Sequence, residues 1–277
     1  MPYICDAHLH LYPLYDLDLL FASACKNLTT LAHSAHQACA AADETPLVLI
    51  CCLAERSDCH YFRKLSTREG QLGDYSFRAL PSPEDGALIV ALPDGSQLLI
   101  IAGRQIATRE RLEILSLAAD LDLPDGIPLI EAQREIIAAG GIPVLNWAPG
   151  KWSFRRGRIA ASLLEQSRPD HLALCDTALR PSIWPQPSLM RRGELLGLRV
   201  LAGSDPLPLP GEEKYAGSYA TYSSASFDLL RPISSFRRLL LEPAVAWQRI
   251  GKRPGAFTTA RRLAALKHAS SRRPAFP

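Results

Sequence analysis

Short apolar runs that stop at charged residues or histidines alternate with stretches of helical period over the first 205 or so residues, and this alternation limits the fold more than any other feature. Residues 3–9, Leu47–Leu53, Arg111–Ala118, Ile142–Asn146, His171–Cys175 and Leu198–Ala202 read as strands, and the continuous apolarity of Leu47–Leu53 is that of a strand buried on both faces. Leu17–Ala42, Pro128–Ala139, Arg158–Gln166 and Pro187–Leu196 read as helices between them, the second stopped by Gly140-Gly141, and Ser57–Leu65 begins another. Ala87–Leu92 and Gln97–Ile101 flank Pro93-Asp94-Gly95-Ser96 and predict a β-hairpin. After Asp205 a Pro-, Gly- and Ser-rich stretch runs to Ser235, followed by helical segments over Phe236–Gln248 and Thr258–Ala269. The expectation is an α/β chain folded as a distorted (β/α)7-8 TIM-like barrel. One domain spans 1–277, with a hairpin insertion at about 86–103 and a C-terminal helical extension at about 236–277.

Composition places few bounds on partners. With 277 residues, 47% of them hydrophobic, the chain can bury a large core. Its formal charge of +3 gives no reason to expect a nucleic-acid or membrane partner, and the oligomeric state stays open. The seven cysteines include no CxxC pair, which points to a reducing compartment. No basic leader and no apolar run of about 18 residues is present, so the expected location is the cytoplasm.

In a parallel barrel the strand ends converge on one face, so the polar residues just past the apolar cores are the candidates for chemistry. In chain order these are Asp6, His8, His10, Glu55, Arg56, Glu113, Asn146, Asp176 and Asp205. His8 and His10 are one residue apart, so on an extended strand both imidazoles project to one side and can reach one cation. Glu113, Asp176 and Asp205 add hard oxygen donors, and such a mixed set accepts zinc, manganese or iron. Asp205, just past a Gly-Ser pair, could ligate the ion or take a proton from an activated water. Asp176 and Glu55 are further acid–base candidates. Asp16 is a reserve carboxylate for which a solvated loop role is the simpler reading.

Four segments in the same order resemble the PHP (polymerase and histidinol phosphatase) family of metal-dependent phosphoesterases. Asp6-Ala7-His8-Leu9-His10 is similar to its first motif, and Arg111-Leu112-Glu113-Ile114-Leu115 to its strand with a metal-bridging glutamate. Gly140-Gly141-Ile142-Pro143-Val144-Leu145 is similar to the strand before a later histidine ligand, and Gly203-Ser204-Asp205 to its last motif. The first motif is shared with amidohydrolase and TatD-like hydrolases. Asn146 stands where the family has a histidine, and Leu207 where the last motif has a second ligand. The resemblance therefore implies a reduced site of one or two divalent ions, held by His8, His10, Glu113 and Asp205 with Asn146 as a weak ligand or hydrogen-bonding group.

Arg56, Lys151, Arg155, Arg156 and Arg180 follow strand ends and suggest a clamp for a small anionic substrate. Hydrolysis of a phosphoester through a metal-activated water is the leading expectation. The alternatives are C–N bond hydrolysis of the amidohydrolase kind and a degenerate, non-catalytic barrel that binds a ligand or partner protein. The basic tail around Arg261, Arg262, Lys267, Arg272 and Arg273 reads as the solvated face of a last packed helix.

Overall fold

The computed structural model describes residues 1–38, 46–67 and 75–271; Cys39, Ala42, Arg272 and Arg273 lie outside them. The chain begins with β1 (Tyr3–Leu9), α1 (Leu17–Ala38), β2 (Val48–Leu53) and α2 (Tyr61–Ser66). There follow β3 (Arg78–Pro81), β4 (Ala87–Ala91), β5 (Gln97–Ile101), β6 (Gly103–Ala107) and β7 (Glu113–Leu117) without an intervening helix. Then come α3 (Leu129–Ala138), β8 (Ile142–Asn146), α4 (Phe154–Gln166), β9 (Ala173–Thr177), α5 (Ser188–Leu195) and β10 (Val200–Gly203). A 3-10 turn (Glu212–Tyr215), β11 (Tyr219–Ser223), α6 (Pro232–Leu241), β12 (Gln248–Gly251) and α7 (Ala256–Ser271) complete it.

The fold is α/β, but the expected TIM-like barrel does not form. The strands make two mixed sheets, one ordered β12-β11-β1-β2-β5-β4-β3 and the other β10-β9-β8-β7-β6. A parallel barrel needs a crossover helix between successive strands. Here β3, β4 and β5 are joined by direct reversals, as are β6 and β7, and each such reversal gives an antiparallel pair. The hairpin about Pro93–Ser96 is present, and its second strand pairs in parallel with β2.

The two sheets face each other across a shared apolar layer. Tyr3, Cys5, Ile50, Cys52 and Ile101 of the larger sheet pack there with Leu115, Val144, Cys175 and Leu201 of the smaller one. On the other face of the larger sheet, α1 buries Leu20, Phe21, Ala24 and Leu28 against Ile4, Leu9 and Leu53. That helical spacing is what an amphipathic helix requires, and each fully buried Leu or Phe contributes about 1.5–3 kcal/mol. Asp16 accepts a hydrogen bond from Leu19 N (3.1 Å) and so caps α1.

Two seams bring the sheets together, each without a continuous ladder. At one, Asp205 N donates to His8 O (2.9 Å) beyond the end of β10. At the other, Glu55 and Arg104 form an isolated bridge between the end of β2 and β6. Each seam has a glycine at its closest approach: a Cβ at Gly203 would meet His8 Cβ at 2.3 Å, and one at Gly103 would meet Leu53 O at 2.1 Å. Within β1, the register against β2 shifts between Asp6 and Leu9. Cys5 and Ala7 face the inter-sheet layer, whereas Leu9 lies on the α1 side with Ile4. This bulge re-aims the strand end, so that His8 points towards the smaller sheet together with His10.

The Gly203 contact gives a direct test. Gly203→Ala is expected to lower stability in urea denaturation by roughly 1–3 kcal/mol through overpacking. Gly255→Ala, where an added Cβ meets nothing within 4 Å, should change it little. Equal effects of the two would contradict the seam described.

Candidate metal centre

His8, His10 and Asp205, all buried, place one donor atom each within 4.8 Å of the others, and among the described residues they form the one such group of three or more His, Cys, Asp or Glu side chains. His8 Nε2 lies 2.9 Å from His10 Nε2. Asp205 Oδ1 lies 3.6 Å from the first and 3.5 Å from the second. Atoms that share one cation at ~2.1 Å are roughly 3.0–3.4 Å apart at angles of ~90–110°. The three donors therefore fit a single ion, with room for further ligands from solvent or substrate.

The position of each donor has a local cause. The β1 bulge and the one-residue spacing bring the two imidazoles to one side. Asp205 sits at φ 47, a left-handed conformation uncommon for a non-glycine residue, and its N–H is tied to His8 O. Asp6 holds both segments in place. Its carboxylate accepts from His8 N (3.1 Å), Ser204 N (2.9 Å), Ser204 Oγ and Gly217 N (2.9 Å). Burial pushes the Asp6 carboxyl above its ordinary range, and the Ser204, His8 and Gly217 hydrogen bonds oppose that rise. Tyr12 stacks on the His10 ring, with centroids 5.1 Å apart.

Asn146 and Glu113 stand behind His8. Asn146 Oδ1 lies 3.1 Å from His8 Nδ1, and Asn146 Nδ2 donates to Glu113 Oε2 at 3.2 Å. The other oxygen, Glu113 Oε1, pairs with Lys151 Nζ at 3.1 Å. Asn146 O is itself held by Trp152 Nε1 (3.0 Å). An amide oxygen can only accept, so His8 carries its hydrogen on Nδ1 and presents a bare lone pair at Nε2. Partners of this kind behind a ligating histidine fix its tautomer and ring orientation. Burial lowers the His10 imidazole below its ordinary value although Asp205 opposes this, which favours the neutral form that ligates. Burial raises the Asp205 carboxyl, but the facing His8 and His10 rings and the more distant Arg262 outweigh it and hold the group below the usual carboxylate range.

The remaining sequence candidates supply no donor atom to this group of three. Asp176 is buried and accepts from Arg180 Nε (2.8 Å), Arg180 Nη2 (2.5 Å) and Tyr219 Oη (2.9 Å), so this acid and the clamp candidate Arg180 are engaged with each other. Glu55 accepts from the backbone N–H of Tyr61 and Phe62 and caps the start of α2. Arg56 pairs with Asp58 (3.1 Å), and Arg155 is exposed on the first turn of α4. The sequence reading put Arg262 on a solvated basic face, and the structure buries it. This α7 residue, 5% exposed, grips Glu212 through two nitrogens, and Glu212 in turn accepts from Leu207 N (3.0 Å) in the segment after Asp205. The signal was present in the spacing of Thr259, Arg262, Leu263 and Leu266, which share the inward face of α7.

No protein-family model and no curated protein sequence matches the chain. Among solved structures, PsfC from Pseudomonas syringae PB-5123 aligns over 98% of this chain and 98% of its own, with a TM-score of 0.52 and 14% identity. The lesion-specific endonuclease PfuEndoQ from Pyrococcus furiosus aligns over 90% of this chain with a TM-score of 0.50 and 11% identity. Endonuclease Q in complex with a 27-mer duplex substrate with an abasic lesion at the active site gives a TM-score of 0.50 and 10% identity over the same 90%. The chain covers 58% of either endonuclease chain. At such identities the likeness is one of fold. None of the helices among the described residues is long and apolar enough to cross a membrane.

Glu55 supplies a pH signature. Burial lifts its carboxyl from the ordinary 4.5 to about 7, against the pull of the Tyr61 N–H and of Arg104. Between those values the folded chain holds a proton that the unfolded chain has lost, so this contribution to stability falls as pH rises from about 4.5 to about 7. The ceiling is ~3 kcal/mol at 1.36 kcal/mol per unit. Urea titrations across this window should show the wild type losing stability relative to Glu55→Gln; parallel profiles would contradict the assignment.

Proposed function

We propose that the protein is a metal-dependent hydrolase, similar in its site to the PHP phosphoesterases, that adds water across a P–O bond of an anionic substrate. The observation that carries this is the convergence of two imidazole Nε2 atoms and one carboxylate oxygen, with the His8 tautomer set from behind by Asn146. A divalent ion such as zinc, manganese or iron, held by His8, His10 and Asp205, would supply a Lewis acid and a water of lowered pKa. Three protein donors leave coordination positions open, which is the pattern of catalytic rather than structural sites.

The chain's own residues supply orientation and charge. His8 and His10 are held by packing and by Asn146 and Tyr12, so the donor atoms need little rearrangement. Asp205 is the carboxylate that faces them, and its low pKa keeps it ionised and available as a ligand or as an acceptor for the proton of the attacking water. Lys151 neutralises Glu113, which in turn orients the Asn146 amide behind His8, so this pair positions the ligating ring. The fold likeness to two endonuclease structures, whose substrates are phosphodiesters, is consistent with phosphorus as the centre attacked.

The test joins binding to turnover. Calorimetry on EDTA-treated protein should show about one manganese or zinc bound per chain, and the loaded enzyme should hydrolyse aryl phosphate mono- or diesters but not cyclic amides. His8→Ala and Asp205→Asn should abolish stoichiometric binding and turnover. Asn146→Leu, which leaves all three donors in place, should weaken the cation roughly 10–100-fold. Stoichiometric binding that survives His8→Ala together with His10→Ala would refute the reading.

A further inference from the structure

We infer that the mouth of the site carries a separate anion subsite, built by Arg109, Arg111, Arg155 and Arg156, that grips a second phosphoryl group of the substrate. The inference takes from the proposed function only the position of the cleaved group. The four arginines line one concavity of about 700 Å³ with Glu110 and Ile159. Two segments far apart in sequence supply them: the β6–β7 turn and the first turn of α4.

Charge is the first argument. Among the described residues none of the four arginines lies within 4.0 Å of a carboxylate oxygen, whereas Arg56, Arg63, Arg104, Arg168, Arg180, Arg192, Arg249 and Arg262 all do. Arg156 donates only to Gly150 O (2.7 Å), and the guanidinium groups of Arg109, Arg111 and Arg155 have no hydrogen-bond partner among the described residues. Glu110, the acid of the concavity, is turned to Leu129 N (3.0 Å) at the start of α3. The first turn of α4 has no acidic residue and carries Arg155 and Arg156, although cations are disfavoured at a helix N-terminus. Four like charges gathered in one hollow repel one another, and a multiply charged anion relieves that repulsion.

Chemistry selects the anion. Guanidinium groups match phosphate oxygens with two parallel N–H donors, and four of them exceed what one carboxylate can use. Position links the hollow to the candidate metal centre. Arg111 is two residues before Glu113, which pairs with Asn146 across β7 and β8. Arg155 and Arg156 follow the loop from which Lys151 reaches Glu113 and Trp152 reaches Asn146. Phe154, the first residue of α4, is exposed (93%), and both Phe154 and Arg111 are at positive φ, as is Asp205. The hollow shares no lining residue with His8, His10 and Asp205 and is joined to them through Glu113, Asn146 and Lys151, so in this proposal the group bound there is a second phosphoryl group of the same substrate. Its two phosphoryl groups belong either to a small polyphosphate or bisphosphate or to neighbouring links of an oligonucleotide strand.

The experiment uses metal-free protein, so that it reads the subsite apart from the cation. Calorimetry with inorganic pyrophosphate and with a ten-residue oligothymidylate, at low and at moderate salt, is run on the wild type, Arg109→Ala/Arg155→Ala and Arg168→Ala. Arg168 is an exposed arginine paired with Asp170 and serves as the control for general charge. The expected result is binding to the wild type and to Arg168→Ala, weakened at least tenfold in the double variant with an unchanged melting temperature. A strand that binds more tightly than pyrophosphate assigns the second group to a nucleic acid, and equal or weaker binding assigns it to a small molecule. Failure of metal-free wild type to bind either probe, or equal binding by the double variant, would overturn the subsite. Loss of cation binding or turnover alone would count against the hydrolase reading and leave the subsite standing.

Discussion

The buried carboxylate of Asp6 is the contact on which the arrangement of the site rests. It accepts hydrogen bonds from the backbone of β1 at His8, from Ser204 after β10 and from Gly217 before β11, and so joins the first strand to two segments about 200 residues later in sequence. A buried acid is costly unless its lone pairs are satisfied, and four donors meet that cost here. The consequence is positional. His8 and Asp205 both lie within two residues of a group that Asp6 holds, and Gly203 lets the backbones approach closely enough for His8 O to accept from Asp205 N. Asp6 therefore acts on the candidate metal centre through the backbone without facing it.

The remaining buried charges separate those that satisfy one another from those that do not. Asp176 has Arg180 and Tyr219, and Glu212 has Arg262 and Leu207 N; each is neutralised in place. His8, His10 and Asp205 differ, because three atoms that can ligate a metal converge and the hydrogen of His8 is directed away to Asn146. Such a cluster of ligating atoms is stabilised by a cation.

Much of this was legible in the sequence, for identifiable reasons. The one-residue spacing of His8 and His10 implies a shared side, and continuous apolar runs such as Val48–Leu53 mark buried strands. Asp205, past Gly203-Ser204, stands out in the sequence as a candidate carboxylate, and the fold brings it to 3.6 Å from His8 and 3.5 Å from His10. The overall closure was not, because periodicity reports strands but not their direction. The turns after β3, β4 and β6 reverse the chain without a helix, and those reversals replace the expected barrel by two mixed sheets. β11 and β12 were missed as well. Tyr219–Ser223 is short and lies in a Gly- and Ser-rich stretch, and Gln248–Gly251 has little apolar pattern of its own. The β1 bulge and the tie from Arg262 to Glu212 depend on contacts across the fold that no local window contains.

The central claim is that His8, His10 and Asp205 hold one divalent cation. Anomalous diffraction from crystals of the full chain grown with manganese, and separately with zinc, locates such an ion directly. The account predicts one strong peak at ~2.0–2.2 Å from His8 Nε2, His10 Nε2 and an oxygen of Asp205, with Asn146 Oδ1 still on His8 Nδ1. A map with no peak among these three atoms while metal is bound elsewhere, or with His8 turned so that Nδ1 faces the ion, would contradict it.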